Sequence, residues 1–363
     1  MTKRVLLFVG TYTRPAPYLE TTHGNGIYIY ELDHTTGAIH YLNEVGNIDS
    51  PSFLAISPDQ RFLYATSEVW LWDEGTVSAY AIDAAAGSLS YLNKQPTLGS
   101  IAAFAHVDRT GSCLLVSNYW DGESVVLFPI RGDGRLAPPT SSHRHEGSGP
   151  NPDRQEKAHA HCIVPDLNNR YALSADLGID QVIVYALDVA GSRLVPHGSL
   201  KLDDGSGPRH LALHPNGQYV YVIQELGSAI SVLSYDSETG ELRKLQSVST
   251  LPASFAEHNQ CSEIQITPSG RFIYGANRGH DSLVAYAVDA TNGHLSYIGH
   301  YSTKGRTPRH FSIDPTGTFV LVGNQDSYTV VTFRIDPDTG ALQDTGQVAN
   351  VPTPVCLKMI EVG

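Results

Sequence analysis

The sequence is poor in methionine and cysteine, with 2 Met and 4 Cys in 363 residues. Cys113, Cys162, Cys261 and Cys356 stand at spacings that match neither a zinc site nor a Cys-x-x-Cys redox pair, which excludes the common thiolate-metal folds and a thioredoxin-type centre. Free, partly buried thiols in a reducing cytosol are expected instead. Charge is also scarce and one-sided. Charged residues are 17% of the chain and the formal net charge is −13. Broad electrostatic binding to nucleic acid or to an acidic membrane is therefore disfavoured. An anionic small molecule stays admissible, because a few arginines in a pocket outweigh the global field locally. No apolar run approaches ~20 residues, so no membrane-spanning helix is expected. The apolar run within Met1–Gly10 is strand-length with no small-residue cleavage site after it, so no signal peptide is expected. No GxSxG elbow or Ser-His-Asp spacing is present, so a covalent acyl-enzyme is not indicated.

Turn and strand formers are plentiful: 33 Gly, 21 Pro and 19 Tyr. They fall into a repeat. FLAISPDQRFLYATSE, LALHPNGQYVYVIQE, EIQITPSGRFIYGANR and FSIDPTGTFVLVGNQ each read as an apolar strand, a turn and a second apolar strand. An alternating strand follows (TVSAYAID, AISVLSYD, SLVAYAVD, TVVTFRID), then a turn such as SETGEL, ATNGHL or PDTGAL, and a last short strand. The first turn recurs at Pro58, Arg109, Leu167, Pro215, Pro268 and Pro315, with gaps of 51, 58, 48, 53 and 47 residues. Four strands per unit at this spacing is the signature of a propeller blade. The N-terminal piece supplies only the second to fourth strands of a unit, and PTPVCLKMIEV only a first strand. Together they complete a seventh blade, which closes the ring and removes exposed sheet edges. The expected fold is thus an all-β, seven-bladed propeller of four antiparallel strands per blade, with residues 1–363 as one domain. The irregular stretch 138–157 is read as a polar, His-rich loop.

Within a blade the strands run alternately up and down, from A at the axis to D at the rim. The A–B and C–D turns share one face, and their PNG, PSG, PTG and TG residues are explained by tight-turn geometry. The other face carries the D-to-A and B-to-C connections. Nine residues after the turn marker stand Ser67, Asn118, Asp176, Gln224, Asn277 and Asn324, with Thr11 as the seventh. Such a ring either joins neighbouring blades by hydrogen bonds or floors a ligand site. Glu68, Glu225 and Arg278 follow directly. Six residues before the marker stand Ser52, Ala103, His161, Arg209, Ser262 and Arg309, with Val355 in the closing blade and His159, His210, His258 and His310 nearby. Three Arg, a His and a Glu converging from consecutive blades fit an anion held beside an acid/base pair.

At these residues the chain resembles a known family. KAHAHCIVPDLNNRYALSADLGIDQVIVYALD, GSGPRHLALHPNGQYVYVIQELGSAISVL, CSEIQITPSGRFIYGANRGHDSLVAYAVD and TPRHFSIDPTGTFVLVGNQDSYTVVTFRIDPDTGAL are similar to the lactonase family of seven-bladed propellers. That family includes bacterial 6-phosphogluconolactonases of the cycloisomerase-2 type and the fungal enzyme that cyclises 3-carboxy-cis,cis-muconate. The resemblance covers nearly the whole chain and implies catalytic roles for His161 of HAH, Arg209 of GPRH, Glu225 of QELG and Arg278 of NRG. The blade before HAH departs from the pattern, since SIAAFAHVDRTG lacks polar residues where the chain runs into strand A.

Lactone hydrolysis needs water activated at a carbonyl and charge stabilised on its oxygen. His161 or Glu225 is the expected base, with Arg209 and Arg278 on the oxyanion or on a substrate anion. His159, Asp176, His210, Asn277, Arg309 and His310 are expected to contact substrate, Arg309 at the outer anion. A muconate cycloisomerase would use the same groups, and a non-enzymatic binding propeller is the third reading; against it, Trp72-Asp73 is an isolated WD dipeptide. No cofactor or metal is expected, because one carboxylate, Asp176, among Asn118, Asn277 and Asn324 is a weak set for a hard cation. The expected partner is an anionic sugar lactone, with no obligatory protein partner, nucleic acid or membrane, and a cytoplasmic location.

Overall fold

The strands form because the apolar residues come in two kinds of run. Second strands such as Phe62–Ser67, Cys113–Asn118 and Tyr219–Gln224 are buried at every position, as befits a strand covered on both faces. Outer strands such as Leu342–Asn350 alternate between exposed and half-buried positions. The computed structural model describes residues 4–19 and 21–362. These residues form seven four-stranded antiparallel sheets. Blades 1 to 6 begin with the strands Leu54–Ile56, Ala102–Val107, Ala160–Pro165, Pro208–Leu213, Gln260–Ile266 and Pro308–Ile313. Blade 7 is shared between the termini. Arg4–Thr11 pairs on one side with Ile27–Leu32 and on the other with Pro354–Val362, from Arg4 opposite Val362 to Thr11 opposite Pro354. Inside the stretch expected to be loop, Ser141–His143 forms the fourth strand of blade 2. Its three residues are too few to show an alternation.

The core lies between the blades. Blades 1 and 2 share one apolar layer through Tyr64, Val77, Leu114 and Phe128, and blades 5 and 6 another through Tyr274, Leu283, Phe311 and Val331. A repeated clamp fixes the spacing. Tyr64, Tyr221 and Tyr274 donate their hydroxyls to the carbonyls of Gly134, Gly293 and Gly340, each in the C–D turn of the next blade. Gly340 has φ +71°, and a Cβ there would stand 2.3 Å from Phe272. Only glycine meets both constraints, which accounts for the glycine that recurs in these turns.

The polar ring also proves to be a joint between blades. The Asn118, Asn277 and Asn324 amides donate to the carbonyls of Thr97, Thr250 and Thr303 at 2.7, 2.8 and 2.9 Å, each just past the last strand of the preceding blade. An Asn277→Ala substitution removes one of two partners of the buried Thr250 carbonyl, the other being His300 Nε2 at 2.8 Å. It should lower the unfolding free energy by about 0.5–1.5 kcal/mol, read from a urea titration. Weakened substrate binding at unchanged stability would instead return Asn277 to a ligand role.

Candidate active site

A β-bulge near the start of strand A aims the key side chains. In blades 2, 3, 4 and 6 the register between strands A and B skips one residue, and the skipped residues are Ala103, His161, Arg209 and Arg309. A bulge leaves a residue unpaired and turns its side chain out of the regular alternation. One structural device, repeated around the ring, therefore explains why this sequence position carries His and Arg.

These residues meet around a cavity of about 590 Å³ on the face of the D-to-A and B-to-C connections. Its floor holds His161, Glu225, Arg278 and Arg309, with Arg154 beside them. Glu225 is the hub. Its Oε1 accepts from Arg154 at 2.6 Å, and its Oε2 lies 2.9 Å from both Arg209 and Arg278. Burial alone would raise the pKa of this carboxyl; Arg278, Arg154 and Arg209 outweigh burial and hold it well below the ordinary carboxylate value. Arg209 also donates to the Ser262 carbonyl at 2.7 Å and lies beneath the cavity rather than in its wall. Arg278 is tied to the Cys261 carbonyl at 2.9 Å. Arg309 stands 3.7 Å from Glu68 and 5.2 Å from the centre of the Tyr12 ring, and Tyr12 and Tyr18 each donate to Glu68 at 2.7 Å.

His161 is different. Neither ring nitrogen has a hydrogen-bond partner among the described residues, and Nδ1 is fully buried. Burial first, then the Arg209 charge, holds its pKa well below the ordinary imidazole value. The ring is therefore neutral at physiological pH and keeps a lone pair.

Five residues expected at the ligand do not reach the cavity wall. Asp176 is enclosed by hydrogen bonds from the backbone N–H groups of His159 and Gly178 and by His145 Nδ1, at 2.7, 3.0 and 2.7 Å. Asn277 serves the joint already described. His159 is buried behind Tyr119 and Trp120, stacked on both rings at 4.6 and 5.2 Å between centres. His210 and His310 lie within the axial channel, their ring nitrogens 3.0 and 3.1 Å from Glu263 Oε2. His210, Glu263 and Lys358 line a separate cavity of about 460 Å³ at the other mouth. A polar residue beside an apolar strand looks the same in sequence whether it serves the backbone or a ligand.

Other lining residues escaped the sequence reading. Arg154 belongs to the irregular stretch before blade 3. Tyr18, Trp70, Tyr119 and Trp120 come from the B–C loops of blades 7, 1 and 2. The poorly matching SIAAFAHVDRTG segment contributes Ile101 and Ala103 to the same side. The loop motif directly after each second strand was the available signal, and it had marked only Glu68, Glu225 and Arg278.

Known proteins place this arrangement. The profile of the family described as Lactonase, 7-bladed beta-propeller, matches residues 6–359. The chain is 36% identical over 353 residues to a 6-phosphogluconolactonase of Bacillus subtilis, covering 97% of each chain. It is 35% identical to a 6-phosphogluconolactonase of Formosa agariphila, over 85% of this chain and 86% of that one. The structure of the periplasmic gluconolactonase of Pseudomonas aeruginosa superposes with a TM-score of 0.91 at 32% identity, over 99% of this chain and 100% of the other. Closed ring, bulge-borne His and Arg, and full-length similarity agree, and the chain belongs to the lactonase family of seven-bladed β-propellers.

Proposed function

We propose that this protein is a lactone hydrolase of the 6-phosphogluconolactonase type. The observation that carries the reading is a neutral, unpartnered His161 on a cavity floor of arginines locked by one carboxylate. His161 accepts a proton from water as that water attacks the lactone carbonyl. Arg278 takes the negative charge that develops on the carbonyl oxygen, and Arg309 with Arg154 faces the substrate's anionic group. The tetrahedral adduct then breaks its bond to the ring oxygen, and the imidazolium returns the proton to that leaving oxygen. Glu225 serves to hold the arginines, since both its oxygens are taken up by Arg154, Arg209 and Arg278. Arg209, beneath the wall, positions Glu225.

The same reading takes a sugar lactone as sole partner, with no obligatory protein or nucleic-acid partner. Four buried cysteines without a disulfide favour a reducing, cytoplasmic location. Among the described residues no helix is long and apolar enough to cross a membrane.

The test is hydrolysis of 6-phosphoglucono-δ-lactone, generated in situ, against its spontaneous rate. An enzyme-dependent excess of several orders of magnitude is expected, within the usual range of enzymatic acceleration. No excess from folded protein, with turnover of a carboxylated muconate, would replace this reading by the cycloisomerase.

A further inference from the structure

The cavity has two unlike halves. Blades 3 to 6 supply His161, Glu225, Arg278 and Arg309, while blades 7, 1 and 2 supply Tyr18, Trp70, Tyr119 and Trp120. The bulge that presents an ionisable group in blades 3, 4 and 6 presents only a methyl group in blade 2, at Ala103. That side is therefore apolar at Ile101 and Ala103, and its charged group Glu68 is taken up by Tyr12, Tyr18 and Arg309. A phosphorylated hexonolactone fills roughly 200 Å³ at the packing density of organic crystals, so the 590 Å³ cavity has room for a second ring of similar size.

The aromatic rings are held in place. Trp70 meets Tyr18 edge-on at 5.9 Å and Trp120 at 5.7 Å between ring centres. His159 stacks on Tyr119 and Trp120, and the Lys157 ammonium lies 4.0 Å from the centre of the Trp120 ring. Tyr18 and Trp120 nevertheless remain 43% and 37% exposed. Large aromatics fixed in position and left open to a cavity offer surface to an apolar face. Asp153, Gln260 and Asp326 stand in the same lining, short polar groups suited to hydroxyls. A sugar ring has both features, C–H faces and a hydroxyl rim, whereas an acyl chain has no use for the polar groups. The two carboxylates disfavour an anionic ring.

We propose that the site takes aldonolactones bearing a neutral glycosyl substituent, with Tyr18, Trp70 and Trp120 as the subsite for the second sugar. The proposal rests on the lactonase reading and names its substrate class.

The experiment compares kcat/KM for cellobionolactone and for glucono-δ-lactone in wild type, Trp70→Ala, Trp120→Ala and Trp120→Phe. The ratio of the two constants should exceed unity in wild type and fall about tenfold in each alanine variant, a loss on the scale of a stacked ring pair. The phenylalanine variant should keep most of it and guards against a folding defect. A wild-type ratio below one, or equal losses on both lactones, overturns the proposal. If neither lactone is hydrolysed, turnover of 6-phosphoglucono-δ-lactone decides separately whether the lactonase reading stands. Binding of cellobionate, followed by tryptophan emission, then decides the subsite: quenching that Trp70→Ala weakens supports it, and no quenching overturns it.

Discussion

His161→Ala is expected to lower kcat at least ~10²-fold while KM changes little, the scale for a group that moves a proton in the transition state. The unpartnered imidazole has no structural hydrogen bond to lose, so the variant should fold normally, and a stopped assay on in situ lactone reads the loss directly. Near-wild-type turnover would remove His161 from the chemistry. The depressed pKa adds a pH prediction. His161 gains no proton as pH falls through the ordinary imidazole range, so kcat/KM should hold level through about pH 6.5, with the acid limb well below. Stability behaves differently. The unfolded chain takes up a proton at this residue below about pH 6.5 and the folded chain does not. This group's share of stability is therefore full above that pH and is lost on going down towards the folded pKa. The loss is at most about 1.4 kcal/mol per pH unit, and the difference between urea midpoints at pH 7.5 and 5.5 should shrink in His161→Gln.

The second large effect belongs to Glu225. Glu225→Gln keeps the shape of the hub but leaves Arg154, Arg209 and Arg278 without their shared counter-charge. Removing one partner of a buried ion pair costs about 3–5 kcal/mol. The cost should approach that range here, because Glu225 and Arg209 are almost wholly enclosed, although Arg154 is partly screened by water. Turnover should also fall, by about 10²-fold or more, as Arg278 loses the contact that orients it. The two variants thus differ in kind: His161→Ala loses rate alone, Glu225→Gln loses rate and stability together. A Glu225→Gln protein as stable as wild type would show that the three arginines find other partners. Since the carboxyl lies below its ordinary pKa, its contribution is complete above about pH 4.3 and vanishes only as pH drops through the still lower folded value.

The repeat made the fold legible, because seven copies of one pattern reinforce each other and the missing first strand of the N-terminal unit matched the surplus strand at the other end. The four residues implied as catalytic could be picked out for a related reason: each occupies a fixed place in the repeat, His161 and Arg209 at the bulge of the first strand and Glu225 and Arg278 at the end of the second. What stayed hidden lies outside the repeat register. Arg154 sits in a stretch with no periodicity, and the aromatic wall is assembled from loops of unequal length. The polar ring was visible but ambiguous, as a carbonyl on the neighbouring blade leaves no trace in the sequence beside Asn277. His210 and His310 misled because they adjoin Arg209 and Arg309. Beyond the bulge the strand resumes its alternation, and the next side chain turns down the channel.

The shared seventh blade has a consequence on the ribosome. Among the described strands Arg4–Thr11 is made before all the others and its partner Pro354–Val362 after them. At about 5–20 residues per second, the early strand waits roughly 20–70 s with one edge unpaired, and an unpaired edge is a template for pairing with other chains. Blades 1 to 6 can each complete a sheet as they emerge, but the ring cannot close before the final strand is released. The nascent chain therefore passes through an open crescent whose first and last blades both lack a neighbour, and this is the stage at which a chaperone has the most apolar surface to hold.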